Sequence, residues 1–188
     1  MSWLVIALQV LFWMPMVFRL ATRKTPEISF WAELGASFRK PGLVLYELAM
    51  VAIWVGLGIG IRTGEVDNSS PLRISAGVLL HLSATAVFAW AIMVHRSWNI
   101  EARLESDHQL CTVGPYQFVR HPIYFAFNIL GIGAVAFAPN LWVILGAVLL
   151  FAGGDLRARQ EEAVLIARFG DEYREYMGRV NRAIPGIY

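Results

Sequence analysis

The sequence predicts an all-α fold: a polytopic membrane protein with about five transmembrane helices, the fourth and fifth forming a short helical hairpin, followed by a C-terminal amphipathic helix. Three observations predict it. Hydrophobic residues make up 57% of the 188 residues and charged residues 16%, an apolar share above that of an ordinary soluble domain. Apolar runs of about 20 residues, the length that crosses a hydrocarbon core of about 30 Å, recur along the chain. The Lys and Arg residues fall between those runs rather than in one basic block, and the net charge is only +2. Charge therefore reports topology and argues against a nucleic-acid partner. Cys111 is the one cysteine, which excludes an intrachain disulfide and a thiolate metal site, so no metal is expected.

The chain reads as a single membrane domain, 1–188, with three spans in 1–94 and a more polar half in 95–188. Ser2 to Leu20 is the first span. It lacks the basic start and small-residue cleavage site of a secretory signal, and neighbouring helices make Pro15 tolerable inside it. Arg19 to Pro41 carries Arg19, Arg23, Lys24, Arg39 and Lys40 with Trp31 and Phe38 interleaved, predicting a loop with a short interfacial helix. Leu43 to Ile61 is the second span. Its Gly56-Leu57-Gly58-Ile59-Gly60 lacks the spacing of a nucleotide loop and reads as a helix-packing surface. Arg62 to Pro71 is turn-rich, Leu72 to Val94 forms the third span, and His95 to His121 is a long polar connection.

Ile123 to Ala138 predicts a short fourth span, ended by Pro139-Asn140, and Leu141 to Gly154 an equally short fifth. Asp155 to Gly178 then mixes charges with an apolar stripe of Leu156, Val164, Leu165, Phe169 and Tyr173. That pattern predicts an amphipathic helix lying on the membrane surface. Of the 16 Lys and Arg, fourteen fall in 19–40, 95–121 and 155–188, and only Arg62 and Arg73 lie between. This bias predicts an N-terminus outside, with the C-terminus and both polar segments on the cytoplasmic face.

Two clusters carry chemical potential. His121, Tyr124 and Asn128 share one face of the fourth span. Arg120-His121-Pro122 opens that helix, whose free N–H groups and positive dipole end suit a polar or anionic ligand; the same residues also suit an interfacial anchor. Arg157 and Glu161 are i, i+4 neighbours with Glu162 one step round, which is either a surface ion pair or the second half of a site. The hairpin returns both clusters to one membrane face. His81, near the middle of the third span, is an open candidate, and Glu47 reads as an anchor within reach of Arg39 or Lys40. Trp98 and Asn99 are either anchors or pocket wall.

The ordered set GPYQFVRHPIY (Gly114 to Tyr124), RARQEE (Arg157 to Glu162), FGDEYREY (Phe169 to Tyr176) and NRAIP (Asn181 to Pro185) resembles the isoprenylcysteine carboxyl methyltransferase family of integral membrane enzymes. The resemblance covers His108 to Pro185, under half the chain, and related phospholipid methyltransferases share its RHPxY and Glu-Glu elements. It implies S-adenosylmethionine as cofactor, held by the residues matching His108, Gln109, Leu110, Cys111, Tyr116, His121, Pro122, Ile123, Tyr124 and Glu161. It implies Arg157 as the catalytic residue facing the substrate, and Arg182 and Pro185 packing over the site. Cys111 stands where the family often has an aliphatic residue. The implied reaction is methyl transfer to a lipophilic acceptor arriving from the bilayer, foremost the carboxylate of an isoprenylated cysteine. The alternatives are a phospholipid or small lipophile N- or S-methyltransferase and, more remotely, an NADPH-dependent steroid-type reductase or a non-catalytic membrane scaffold.

Overall fold

The computed structural model describes residues 1–22, 41–95 and 110–188. Among them the helices are α1 (Ser2–Ala21), α2 (Pro41–Arg62), α3 (Pro71–Val94), α4 (Pro122–Phe137), α5 (Leu141–Phe169) and α6 (Asp171–Arg179), with a 3₁₀ turn at Gly114–Gln117. Four of these, α1, α2, α3 and α5, are long and apolar enough to cross a membrane, and α4 is a shorter apolar helix. The chain is an integral membrane protein.

Local chemistry sets the boundaries. Ser70 caps α3, its side chain accepting from the Arg73 N–H, and Pro71 occupies the first turn where its missing N–H costs nothing. Asn140 caps α5 in the same way through the Val143 N–H. The 16 residues of α4 rise only about 24 Å, shorter than a bilayer core, as the sequence predicts.

The expected break after Gly154 is not there. α5 runs unbroken for 29 residues to Phe169, so Asp155 to Phe169 extends the fifth span, and the predicted surface helix over Asp155 to Gly178 is divided at Gly170. Nothing at Gly154-Asp155 disfavours a helix: the glycines there are covered by Leu45, Tyr46 and Tyr124, and Arg, Ala, Gln and Glu follow. Gly170 adopts φ +56, a backbone open to glycine, and ends the helix. The predicted apolar stripe also misplaces the inner face. Arg157, Ala158 and Glu162 are buried, whereas Val164 is exposed and Leu156, Leu165 and Phe169 are half-buried.

Helix α2 lies along α5, α3 along α4, and α1 against α3. Small residues allow the first of these approaches. A Cβ at Gly56 would meet Val143 Cγ2 at 2.6 Å and its backbone N at 2.8 Å, and one at Gly60 would meet Ala138 Cβ at 2.8 Å. The glycine-rich run is thus a packing surface, with Gly58 turned to open space. His81 is buried, its Nδ1 2.8 Å from the Gly77 carbonyl and its Nε2 3.1 Å from Gln9 Nε2, so it pins α1 to α3. Phe12, Phe88 and Phe127 fill the middle of the bundle. Glu47 is exposed; its expected partners Arg39 and Lys40 lie outside the described residues, as do Trp31 and Phe38.

The bundle has two distinct ends. At one, the Met1 amino group meets Asp67 at 3.3 Å, and Ser69 and Arg73 donate to the Phe137 carbonyl at the α4–α5 turn. At the other, Arg19 donates to the His95 carbonyl, and the start of α4 meets the extension of α5.

Candidate active site

That second end is built from four short stretches. His121 precedes Pro122 at the head of α4, and no side chain caps the helix there. The backbone N–H groups of Arg120 and His121 donate to the Asn181 and Arg182 carbonyls at 2.8 and 3.0 Å, so residues 180–188 are stitched alongside as a strap. The α5 extension supplies Arg157, Glu161 and Glu162. The 3₁₀ turn supplies Tyr116, whose carbonyl accepts from the Tyr176 hydroxyl of α6.

The charges form two linked groups. Glu162, only 4% exposed, accepts from Arg120 Nε and Nη2 at 2.9 and 2.8 Å and from Arg182 Nη2 at 2.8 Å. It also meets His121 Nε2 at 3.3 Å. Arg120 Nη1 donates further to the Met177 and Val180 carbonyls. Glu161 accepts from the Tyr124 hydroxyl and from Arg157 Nη2 at 3.0 Å, while its Oε2 is met by His121 Nδ1 at 3.4 Å. His121 therefore bridges two carboxylates. Burial alone would lower its pKa, but the hydrogen bonds and charges of Glu161 and Glu162 outweigh burial and raise it, so the imidazolium is favoured.

Two features distinguish this from a surface ion pair. Arg157 is 3% exposed, and its Nε and Nη2 are engaged by Tyr124 and Glu161 while Nη1 makes no hydrogen bond to any described residue. Glu161 keeps its side chain 23% exposed. A buried guanidinium with one arm unpaired among the described residues and a partly exposed carboxylate sit side by side.

Of the residues the sequence singles out, the structure brings His121, Pro122, Ile123, Tyr124, Arg157 and Glu161 together. Tyr116 is buried nearby; burial, then Cys111 and Glu161, raise its hydroxyl pKa, so it is a neutral group. Leu110 and Cys111 are half-buried, and burial pushes the Cys111 thiol up. His108 and Gln109 lie outside the described residues, as do Trp98 and Asn99. Sequence reasoning placed Glu162 only beside the Arg157–Glu161 pair, Arg120 only at the opening of the fourth span, and Arg182 only in packing over the site. The available signal was stoichiometric: three arginines and a histidine around two adjacent acids in a chain poor in charge. Asp155 and Tyr188 close the outside of the cluster, the Tyr188 hydroxyl donating to Asp155 Oδ1 at 2.7 Å.

An apolar helical bundle with a buried charged cluster at one end defines an integral membrane protein with a polar site at one end of its spans. The isoprenylcysteine carboxyl methyltransferase family matches residues 77–167, which contain α4, most of α5 and the cluster except Arg182. A protein-S-isoprenylcysteine O-methyltransferase of Dictyostelium discoideum is 32% identical over 162 residues, covering 86% of this chain and 58% of that protein. One of Schizosaccharomyces pombe is 35% identical over 89 residues, covering 47% and 38%. The solved structure of a eukaryotic intramembrane Ras methyltransferase superposes with a TM-score of 0.64 at 26% identity, covering 76% of this chain and 52% of that one. Over residues 77–167 the chain is similar to the isoprenylcysteine carboxyl methyltransferase family, and it spans about four- to six-tenths of the length of these relatives.

Proposed function

We propose that this chain transfers a methyl group from S-adenosylmethionine to the carboxylate of an isoprenylated cysteine. The acceptor arrives from the bilayer and the cofactor from the cytoplasm, with the N-terminus outside. The observation that carries this reading is the pairing of partly exposed Glu161 with Arg157 at one end of an apolar bundle.

The donor set suits the cofactor. Its ammonium needs a carboxylate, which partly exposed Glu161 offers. Its carboxylate and adenine suit the uncapped start of α4 at Ile123 and Tyr124, together with Tyr116 and the backbone near Leu110 and Cys111. His121 spends both ring nitrogens on the two glutamates, so it positions Glu161. The cofactor supplies a sulfonium methyl: a C–O bond to the acceptor forms as the C–S bond breaks, its electron pair staying on sulfur.

Arg157 holds the acceptor carboxylate through its free arm and aims one oxygen at the methyl, so orientation and exclusion of water dominate the rate. No base is required, because a carboxylate is already ionised at neutral pH. That requirement separates acceptors. An amine would have to surrender a proton, yet His121 already faces both glutamates and Glu162 is engaged by two arginines. Neither is available as a base.

The test is mass spectrometry of purified protein with S-adenosylmethionine and a panel of S-prenylated cysteines, ethanolamine phospholipids and small thiols. The prenylcysteine should gain one methyl. Methylation of the phospholipid or thiol alone would replace the acceptor assignment, and binding of NADPH in place of S-adenosylmethionine would replace the reaction class.

A further inference from the structure

Tyr46 is assigned no part in the site so far, yet its position is distinctive. It stands on α2 one turn beyond Gly42, and that turn packs directly on the catalytic stretch of α5. A Cβ at Gly42 would meet Arg157 Cγ at 2.7 Å, and one at Gly153 would meet the Gly42 carbonyl at 3.2 Å. The Tyr46 ring lies 5.7 Å from that of Tyr124 and 5.2 Å from that of Phe127. The residue is 8% exposed, and its hydroxyl has no hydrogen-bond partner among the described residues.

An unpaired hydroxyl at such depth is a cost unless something else accepts from it. Its surroundings say what. A Cβ at Gly154 would stand 3.0 Å from the hydroxyl oxygen, so the glycine preserves the room in front of it. Arg157, one turn further along α5, donates to Tyr124 and Glu161, and its Nη1 makes no hydrogen bond to any described residue. Two donors with no acceptor among the described residues, one charged and one neutral, thus stand on α2 and α5 where these helices pack against each other.

We propose that the Tyr46 hydroxyl and Arg157 Nη1 together form a two-point cradle for the acceptor's carboxylate, Tyr46 donating to one oxygen and Arg157 to the other. This rests on the methyltransferase reading above and adds a specificity determinant to it. A carboxylate satisfies both donors at once. A thiol or a carboxamide satisfies them poorly, since the first offers one weak acceptor and the second brings an N–H against a donor. Tyr46 thereby selects an acid acceptor rather than merely a greasy one.

The test is Tyr46→Phe, which removes one oxygen and keeps the ring and its aromatic contacts. Binding of N-acetyl-S-farnesylcysteine and of its C-terminal carboxamide is measured on the purified full chain without cofactor, and kcat and KM are measured with S-adenosylmethionine. The wild type should prefer the carboxylate. The variant should lose about tenfold of that preference and show a KM for the acid raised by about tenfold, with S-adenosylmethionine affinity unchanged. A variant with wild-type preference and KM overturns the proposal, as does a wild type that does not distinguish acid from amide. Failure of the underlying reading looks different: the wild type would then bind the acid preferentially but transfer no methyl to it.

Discussion

The two ends of the bundle handle polar groups in opposite ways. At the end formed by the α2–α3 and α4–α5 connections, side chains close backbone termini: Arg73 Nε donates to the Ala136 carbonyl at 3.1 Å, Arg73 Nη2 to the Phe137 carbonyl at 3.2 Å, and Asn140 Nδ2 to the Gly56 carbonyl at 2.9 Å. At the other end charges bind charges, and among the described residues Arg157 Nη1 and the hydroxyls of Tyr46 and Tyr173 make no hydrogen bond, while Glu161 keeps part of its side chain exposed. The first pattern finishes a fold. The second holds a fold together while reserving groups for something absent from it.

This contrast is strongest at Glu162, which is entirely consumed by structure although it adjoins Glu161. Replacing it as Glu162→Gln leaves Arg120, Arg182 and His121 around a neutral amide in a nearly dry pocket. Loss of one partner from a buried ionic cluster costs about 3–5 kcal/mol, so thermal unfolding in detergent should show the largest drop of any single change here. Arg157→Ala should act on turnover instead: kcat/KM should fall about 10²- to 10³-fold, the scale of losing one positioned charged donor. Its cofactor affinity should change far less. At the opposite end, Arg73→Met should lower stability by about 1–2 kcal/mol through its lost carbonyl bonds, with turnover per folded molecule unchanged.

The smallest effect is in pH. The Glu161 and Glu162 charges hold His121 above the ordinary histidine pKa against the opposing pull of burial. The stability it contributes is therefore complete below the unfolded value of about 6.5 and is lost as pH rises through the higher folded value. The thermal midpoint should decline across that window, and His121→Gln should flatten the decline.

Much of this was legible in the sequence, for identifiable reasons. The turn-rich Arg62 to Pro71 and the Pro139-Asn140 break mark helix boundaries because turn chemistry is local, and the apolar runs give the spans because bilayer thickness dictates length. His121, Tyr124 and Glu161 could be placed on one membrane face because a short hairpin between two spans leaves no alternative. The end of α5 was not legible: the change from Leu and Phe to Asp and Arg marks a change of surroundings, and an α-helix continues through it. The buried face of that extension was hidden for a related reason. Periodicity arguments send charges outward, whereas Arg157 and Glu162 turn inward because Tyr124, Arg120 and Arg182, far away in sequence, satisfy them there. Tyr46 carries no sequence signal at all, since a tyrosine early in an apolar span reads as an interfacial anchor.

The claim on which the account turns is that partly exposed Glu161 is a ligand site, whereas the polar end around Arg73 is only a closure. Calorimetric titration of S-adenosylmethionine into purified wild type, Glu161→Gln and Arg73→Met measures this directly. Wild type and Arg73→Met should bind alike and Glu161→Gln at least about tenfold more weakly. Equal affinity in all three proteins, each shown to be folded, would contradict it.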